Sequence, residues 1–396
     1  MDKALAESAP ARGKPLGVSL LLASLMFLLS AFMFVGPRLS PDGRLNLRPN
    51  EAIAMGITLV TAAVLFFRMI RTGRTDRYRA IFFVAFAVLF VVEFTAQLVE
   101  LRGTTELSRT EMMEGRTPFC HIVIPQTLIP AALTRTIIFP GSMLEGFAAV
   151  GSMLVLWIVV TLALGRGWCA WGCFYGGMDD GFSRLRKRPV IRKIDRRWRY
   201  LPFALLLVVA LWAALSLSPV YCEWLCPFKA VTEHEAVTST LLLVQTVVFV
   251  ALFLGLVVIL PWLSRKRVQC GLFCPFGAFQ SAGNWVDPVN VRIDREKCVD
   301  CGRCARACPT FSLDTESISA GKARLTCVKC GKCMDECPRG AISYHVKGTP
   351  PGSRPFLARL LFVFPAFFFL VVIGGGSIMN GLSRILLFLQ TGRMIH

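Results

Sequence analysis

Long blocks of apolar residues, separated by short polar segments, dominate the pattern of this 396-residue chain. One helical crossing of a hydrocarbon core of about 30 Å needs about 20 apolar residues. Seven blocks meet or approach that length: Leu16–Val35, Ala52–Phe67, Ala80–Val99, Gly146–Leu164, Leu201–Leu217, Leu241–Leu263 and Phe356–Ile373. The pattern therefore predicts an all-α polytopic membrane protein with about seven transmembrane helices, of which the second and fifth blocks are the shortest.

One further apolar stretch does not fit a membrane-spanning helix. It reads "GRTPFCHIVIPQTLIPAALTRTIIFPGS" and contains Pro118, Pro125, Pro130 and Pro140. Proline interrupts helical hydrogen bonding, and irregular backbone at membrane depth is tolerated only where it is buried in protein or lines a cavity. The stretch is therefore predicted to be a re-entrant or interfacial segment.

Composition and charge agree with a membrane protein and suggest its orientation. Hydrophobic residues make up 54% of the chain and charged residues only 17%. The short segments 1–15, 68–79 and 165–199 contain 18 Lys and Arg residues, whereas the alternate loops, although longer in total, contain 10. Short loops rich in Lys and Arg stay in the cytoplasm, so the N-terminus is predicted to be cytoplasmic. The net charge of +19 is then a topology signal, and no nucleic-acid partner is expected.

The polar segment 264–355 falls in the cytoplasm in this topology and contains two copies of one cysteine motif. They read "CVDCGRCARACP" and "CVKCGKCMDECP". In this bacterial-ferredoxin spacing, the first three thiolates bind one 4Fe-4S cluster and the fourth binds the other. The expected ligand sets are Cys298, Cys301, Cys304 and Cys337 for one cluster, and Cys327, Cys330, Cys333 and Cys308 for the second. Zinc also suits paired C-x2-C motifs, but the repeated spacing with both prolines favours a cytoplasmic α+β double-4Fe-4S ferredoxin domain.

Two C-x3-C pairs follow the fourth and sixth apolar blocks. "GRGWCAWGCFYGG" contains Cys169 and Cys173, and "QCGLFCPFGAF" contains Cys270 and Cys274. Both pairs fall at the cytoplasmic membrane boundary, where four thiolates are predicted to bind a third iron–sulfur cluster. The alternative is a group of four buried structural thiols, because free cysteine behaves as a small hydrophobe.

The remaining three cysteines fall on the outer side of the membrane in this topology. Cys222 and Cys226 occupy the hairpin tip "YCEWLCPFKAV", and Cys120 precedes His121 in the proline-rich segment. Three thiolates and one imidazole form a full tetrahedral ligand set, so Cys120, His121, Cys222 and Cys226 are predicted to hold a fourth iron–sulfur or other metal centre. A disulfide and a zinc site remain alternatives, and His234 is an alternative fourth ligand.

The motifs "GRGWCAWGC" and "CGLFCPFGAF", with the double ferredoxin motif, resemble the membrane-bound polyferredoxins of NapH and NosR type across about residues 146–345. That resemblance implies an electron-transfer component of a respiratory chain. Phe174 stands where the family has a proline, and "CEWLC" looks like an addition to the family plan.

The sequence thus predicts four regions and one principal function. The regions are an N-terminal membrane region (1–145), a core membrane domain (146–285), a ferredoxin domain (286–347) and a C-terminal helix and tail (348–396). The predicted function is electron transfer in a prokaryotic cytoplasmic membrane, between a cytoplasmic donor and an extracytoplasmic redox partner or quinone. An electron-transfer subunit without catalytic residues of its own is expected, with membrane lipid and redox proteins as partners. The alternatives are a quinol-oxidising respiratory subunit with structural outer cysteines, and an iron- or redox-sensing assembly or regulatory protein.

Overall fold

The computed structural model describes residues 14–40, 46–100, 120–137, 150–192, 194–232, 239–350 and 354–394. The chain divides into two compact units. The first unit consists of Met1–Ala96, Gly167–Gly181 and Pro288–His396, and the second of Gln97–Arg166 and Phe182–Asp287.

The described residues are mostly helical, with one small sheet. The helices are α1 (Leu16–Val35), α2 (Pro49–Thr72), α3 (Thr75–Glu100), α4 (Ile124–Thr134), α5 (Val150–Leu164), α6 (Trp168–Trp171), α7 (Phe174–Arg184), α8 (Leu201–Ser216), α9 (Lys229–Thr232), α10 (Thr240–Leu252), α11 (Leu260–Ser264), α12 (Pro275–Gln280), α13 (Gly283–Val286), α14 (Arg303–Ala307), α15 (Thr315–Ser319), α16 (Lys332–Glu336) and α17 (Pro355–Thr391). The strands are β1 (Val289–Ile293) and β2 (Ile342–Val346).

Seven helical stretches among the described residues are long and apolar enough to cross a membrane, which confirms the predicted number. They are Leu16–Arg38, Pro49–Thr72, Thr75–Ala96, Val150–Trp171, Arg197–Ser216, Thr240–Ser264 and Pro355–Thr391. The second is longer than its apolar block because Pro49 starts the helix and Gly73, with a left-handed φ of 74°, ends it. Helix ends are thus set by proline and glycine as well as by hydropathy.

The membrane helices of the first unit pack around the long helix α17. Helix α17 contacts α1 and α2, with Phe66 and Phe367 rings 5.4 Å apart. A Cβ atom added at Gly381 would lie 2.6 Å from the carbonyl oxygen of Leu89 in α3. Small residues of this kind let apolar helices approach closely, where packing stabilises their association.

The ferredoxin part of the first unit is built on a two-stranded antiparallel sheet. Strand β1 pairs with β2 in the register Val289↔Val346 to Ile293↔Ile342. Val289, Val291 and Ile293 alternate as buried residues along β1, as expected for a strand with one covered face. The two strands bracket both cysteine motifs in sequence, so the motif loops emerge from the same small sheet.

Helix α8 is the centre of the second unit. It contacts α4, α12 and the π-helical turn Gln269–Phe273. Helix α4 has 11 residues and ends at Arg135 in the left-handed conformation, so it is too short to cross a bilayer. This agrees with the predicted re-entrant segment for residues 120–137; the remainder of that segment lies outside the described residues.

Candidate iron–sulfur sites

The first predicted ferredoxin ligand set surrounds one cavity in the structure. That cavity is lined by all four of its members, Cys298, Cys301, Cys304 and Cys337. Burial, together with the charges of the other three thiols, raises the pKa of the Cys304 thiol to about 11. Cys301 is exposed, so this cavity lies at the surface of the first unit.

The second predicted set surrounds a separate cavity. It is lined by Cys308, Cys327, Cys330 and Cys333. Burial raises the pKa of Cys327 to about 12 and that of Cys330 to about 11. Each cavity therefore contains three cysteines of one motif and one of the other, although the ligand assignment itself stays a prediction.

The loops around both cavities have the geometry and chemistry that a cluster needs. Asp300 and Lys329 occupy equivalent motif positions, and both have left-handed φ values, of 47° and 52°. A buried thiol with a raised pKa remains neutral, and iron binding would deprotonate it, because metal ligation requires the thiolate. Within the described residues, no group of three or more His, Cys, Asp or Glu side chains could hold a single metal ion. Each cavity is instead lined by four cysteines, the number of ligands that a 4Fe-4S cluster takes.

Three cysteines from separate chain segments lie close together in the second unit. After burial, the charge of Cys226 and then that of Cys120 raise the pKa of the Cys222 thiol. Burial and the charge of Cys120 raise the pKa of Cys226 to about 12. Gln126 on α4 lies 4.0 Å from Cys222 Sγ and accepts a 2.9 Å hydrogen bond from the backbone N–H of Tyr221. Cys120 and Cys226 thus lie near enough to Cys222 to influence its thiol, although within the described residues these side chains do not form a group that could hold a single metal ion.

His121, the fourth predicted member, directly follows Cys120 and is buried. Its ring lies edge-on to Phe276, with centroids 5.0 Å apart. Burial lowers the pKa of His121 to about 3, so the imidazole is neutral, the form in which histidine binds a metal. Its role as a ligand stays a prediction. The alternative ligand, His234, lies outside the described residues.

The expected separation of two cysteine pairs by the full bilayer is wrong. The sequence placed Cys222 and Cys226 at the opposite end of the sixth span from Cys270 and Cys274. In the structure, Gln269 Nε2 donates a 3.1 Å hydrogen bond to the hydroxyl of the fully buried Tyr221. Thr240–Ser264 has 25 residues, a length of about 37 Å. At least one of the loops must therefore fold back toward the other, which hydropathy alone does not indicate.

The two neighbouring elements share one local structure. Tyr221–Leu225 and Gln269–Phe273 are both five-residue π-helical turns, each followed by a cysteine with extended backbone and a proline. Tyr221 and Gln269, which join the elements, each precede the first cysteine of their pair. The charge of Cys274 also raises the pKa of Tyr221, after burial. The side chain of Tyr221 therefore lies near both cysteine pairs.

Buried cations surround Cys270 within the second unit. The guanidinium of Arg267 donates a 3.2 Å hydrogen bond to Cys270 Sγ, and Arg166 donates to the Cys270 carbonyl at 3.1 Å. Both side chains are almost fully buried. Sequence reasoning missed these arginines, together with Gln126 and Tyr221. The sequence signal that could have indicated them is a polar residue next to a cysteine or inside an apolar segment.

The predicted third centre remains a prediction. Cys169 and Cys173 are buried in the first unit, whereas Cys270 and Cys274 belong to the second. None of the fifteen cysteines, all within the described residues, forms a disulfide. The structure therefore offers no support for the disulfide alternative among Cys120, Cys222 and Cys226.

Comparison with known protein families identifies 4Fe-4S binding domains along this part of the chain. Residues 290–338 match a 4Fe-4S dicluster domain, and residues 146–193, 198–234 and 246–289 match a 4Fe-4S binding domain. The second of these three segments includes Cys222 and Cys226. The interpretation of "CEWLC" as an addition to the family plan is therefore wrong. The three C-x3-C pairs each follow an apolar helix and belong to one repeated plan.

Several curated proteins are similar to this chain. YccM of Escherichia coli, an electron transport protein by name, is 25% identical over 223 residues, 52% of this chain and 57% of YccM. The methylamine utilization ferredoxin-type protein MauN of Methylorubrum extorquens is 30% identical, over 42% of this chain and 55% of MauN. The ferredoxin-type protein NapH of Escherichia coli is 28% identical, again over 42% and 55%. The matches thus span little more than half of each of these relatives, and no solved structure matches the chain.

The chain thus contains matches to 4Fe-4S binding domains together with several apolar helices, and it is similar to proteins named as ferredoxin-type and electron transport proteins. The similarity to two NapH proteins confirms the resemblance noted in the sequence.

Proposed function

We propose that this protein carries electrons across or along the cytoplasmic membrane of a prokaryote. The donor would meet the ferredoxin domain in the cytoplasm, and the acceptor would be a redox partner protein or a quinone at the membrane part. The protein would serve as an electron-transfer subunit of an oxidoreductase complex. The predicted regions 1–145, 146–285, 286–347 and 348–396 remain part of this proposal.

The observation that carries the proposal is the convergence of Cys120, Cys222 and Cys226. They come from two separate stretches of the second unit. Gln126, on the helix that follows Cys120, lies 4.0 Å from Cys222 Sγ and accepts a hydrogen bond from the backbone N–H of Tyr221. Buried structural cysteines behave as small hydrophobes and have no reason to converge. Convergence is expected where several thiols bind one metal centre. With the two ferredoxin cavities, it gives the chain cysteine sites in both units.

Each cysteine set would bind one centre. The ferredoxin sets would hold two 4Fe-4S clusters, and Cys169, Cys173, Cys270 and Cys274 a third. Cys120, Cys222 and Cys226 would hold a further iron–sulfur centre with His121 as fourth ligand. Bound clusters supply one-electron chemistry, and the protein adjusts their potentials through burial and hydrogen bonds to sulfur. The donors Arg267, toward Cys270, and Gln126, toward Cys222, would act in this way.

The contact between Tyr221 and Gln269 supports a relay between the two C-x3-C elements. The original expectation required electrons to cross a bilayer core of about 30 Å between these sites. The 3.1 Å hydrogen bond between the two elements supports a much shorter step between them. The centre at Cys222 and Cys226 would therefore receive electrons from the centre at Cys270 and Cys274. It would also be the centre that passes them to the acceptor.

A double substitution tests the proposal directly. Three cubanes contain about twelve irons, so wild-type protein with a further centre is expected to bind more than that. Cys222→Ser with Cys226→Ser should remove the additional iron and stop electron passage across proteoliposomes, measured with a donor outside and an acceptor enclosed. Glu223→Gln is the matched control, because Glu223 lies on the same turn between the two cysteines and has no thiol.

The outcomes separate the competing functions. If the double variant keeps the wild-type iron content, Cys222 and Cys226 are structural and a quinol-oxidising subunit becomes the better description. If the wild-type clusters fail to reduce and reoxidise with either a low-potential donor or quinol, electron transport itself is wrong. A sensing or assembly role would then explain the clusters.

A further inference from the structure

The two ferredoxin cavities have different neighbours in the first unit. The Cys298 set lies at the surface, with Cys301 exposed. In the other set, Cys330 and Cys333 are 7% and 8% exposed. Gly331, between them, lies against Thr75 at the start of α3. The second cavity is therefore the one that faces the membrane helices of this unit.

Trp171 connects that second cavity to a membrane cysteine pair. It lies on α6 between Cys169 and Cys173 in "WCAWGC", and its side chain is fully buried. Its indole N–H donates a 3.3 Å hydrogen bond to the carbonyl oxygen of Lys329. Lys329 directly precedes Cys330 and follows Cys327 by two positions. One hydrogen bond thus joins the loop that carries two predicted ligands to the helix that carries the Cys169–Cys173 pair.

The surroundings hold this contact in place. The hydroxyl of Tyr344 donates a second hydrogen bond, of 2.8 Å, to the same Lys329 carbonyl. Phe362 of α17 stacks on Tyr344 at 4.8 Å and meets the Trp171 ring edge-on at 6.0 Å. Arg79 lies 5.9 Å from the Trp171 ring centre and donates to the carbonyl of Ala170 at 2.8 Å. The indole, the carbonyl and the backbone of α6 are therefore all fixed by buried partners.

A purely structural role would explain less of this arrangement. A buried indole N–H needs some acceptor, but any nearby carbonyl would satisfy that need. Here the acceptor belongs to the ligand loop of a predicted cluster, and the donor lies within a second cysteine pair. Apart from this single hydrogen bond, only covalent bonds separate Cys330 from Cys173.

We propose that Trp171 is the coupling residue between the Cys327 ligand set and the Cys169–Cys173 pair. This set is then the exit of the ferredoxin domain toward the membrane part, whereas the exposed Cys298 set meets the soluble donor. One electron passes per event, so the iron–sulfur centre on one side is oxidised by one electron and that on the other is reduced by one. No bond forms or breaks, and the indole keeps its proton. The inference rests on the proposed function and specifies the order of its sites.

The test uses full-length protein in proteoliposomes and three single substitutions. Trp171→Phe keeps a buried ring but removes the N–H group. Tyr344→Phe removes the other hydrogen bond to the same carbonyl and leaves Trp171 in place. Trp168→Phe is the matched control on the same helix, where the indole packs against Phe369 at 5.1 Å. Each variant is characterised by iron content, by the EPR spectrum and midpoint potential of each cluster, and by reoxidation kinetics after flash reduction with a soluble one-electron donor.

Trp171→Phe is expected to lose the fast phase of ferredoxin-domain reoxidation while iron content and both EPR signals are retained. Tyr344→Phe should shift the potential of the buried cluster, because hydrogen bonding around the ligands influences it, yet keep the fast phase. Trp168→Phe should match wild type in both respects. A fast phase retained in Trp171→Phe would overturn the coupling role and leave the proposed function intact. A wild-type protein without any fast phase would instead overturn the proposed function.

Discussion

The two ferredoxin ligand sets have the same cysteine spacing but different surroundings. Around the Cys298 set, Cys301 is exposed and the motif glycine, Gly302, meets only the side chain of Arg306. Around the Cys327 set, the equivalent Gly331 lies against Thr75, and Cys330 is influenced by the charges of Asp76 and Arg79. The motif thus defines which thiols converge, whereas the docking of each loop defines how each site is buried and charged. Equivalent substitutions in the two motifs can therefore measure the contribution of docking.

The largest expected effect is the loss of one cluster, and it tests the crossed ligand pattern itself. Cys308 follows the first motif but lines the cavity of the second set. Cys308→Ala should abolish the EPR signal of the buried cluster and leave that of the exposed one. Cys337→Ala should do the reverse, because Cys337 lines the other cavity. Loss of the exposed cluster alone in Cys308→Ala would show that the ligands are not exchanged between motifs.

The next effect concerns a fully buried ion network beside the Cys327 set. Arg79 is fully buried and pairs with Asp76 and Asp180 at 2.8 Å each. Removing one partner of a buried ion pair costs about 3–5 kcal/mol, because the remaining charges lose their compensation. We expect Arg79→Leu to lower the apparent melting temperature of detergent-solubilised protein strongly and to destabilise the buried cluster first.

A surface pair provides the control for this prediction. Arg303 and Glu336 are 3.9 Å apart and about half exposed, and such pairs contribute about 0–1 kcal/mol. Arg303→Ala should therefore leave the melting temperature nearly unchanged. Equal destabilisation by both substitutions would contradict the view that docking distinguishes the two sets.

The matched glycines give a smaller effect. Both have left-handed backbone, with φ of 66° at Gly302 and 87° at Gly331. Alanine at either position costs about 1–2 kcal/mol for that conformation. A Cβ at Gly331 would also lie 2.8 Å from the Cβ of Thr75, whereas at Gly302 it would meet only the mobile end of Arg306 at 3.2 Å.

We therefore expect the free energy of unfolding of Gly331→Ala to be lower than that of Gly302→Ala by about 1–3 kcal/mol, the usual cost of overpacking. Thermal unfolding of the two variants, followed by cluster absorbance, measures the difference. Equal melting temperatures would show that Thr75 can move to accommodate the added methyl group without loss of stability, and that the loop is not packed tightly against α3.

Hydropathy and cysteine spacing were sufficient for the seven candidate membrane helices and for the grouping of the eight ferredoxin cysteines around two cavities. They did not reveal the contact of Tyr221 with Gln269, because an apolar block indicates where a helix runs and not how far the next loop folds back. The Trp171–Lys329 hydrogen bond joins residues 158 positions apart. No local pattern encodes such a pairing. It follows from the docking of a soluble-type motif on membrane helices, which depends on the packing of the whole unit.

The buried arginines were not predicted either, because their burial also depends on the packing of the whole unit. Arg79 and Arg166 were counted among the basic residues of short loops, which the positive-inside rule treats as solvated, and Arg267 was assigned to the polar segment 264–355. In the structure each is almost fully buried and donates to a backbone carbonyl, a carboxylate or a thiol. Part of the loop charge thus stabilises the cysteine-bearing turns, in addition to any influence on topology.

The smallest predicted effect comes from a helix cap that only the buried set provides. Asp335, between Cys333 and Cys337, accepts hydrogen bonds from the backbone N–H groups of Thr75 (3.0 Å) and Arg77 (3.2 Å), at the start of α3. A carboxylate at a helix N-terminus satisfies free N–H groups, and its loss costs about 1 kcal/mol. Asp335→Ala should lower the melting temperature slightly and raise hydrogen exchange in the first turn of α3.

Arg306 occupies the equivalent place in the first motif and makes a different contact. It donates to the carbonyl of Cys301 at 3.1 Å in an exposed loop, on the surface side of the domain. Arg306→Ala is therefore expected to leave hydrogen exchange in α3 unchanged, whatever its local effect near Cys301. If hydrogen exchange in the first turn of α3 is the same in both variants, Asp335 does not cap the helix. The contact then does not contribute to the burial of the second ligand set. If only Asp335→Ala exposes the first turn, the ferredoxin motif itself stabilises the membrane helix on which it docks.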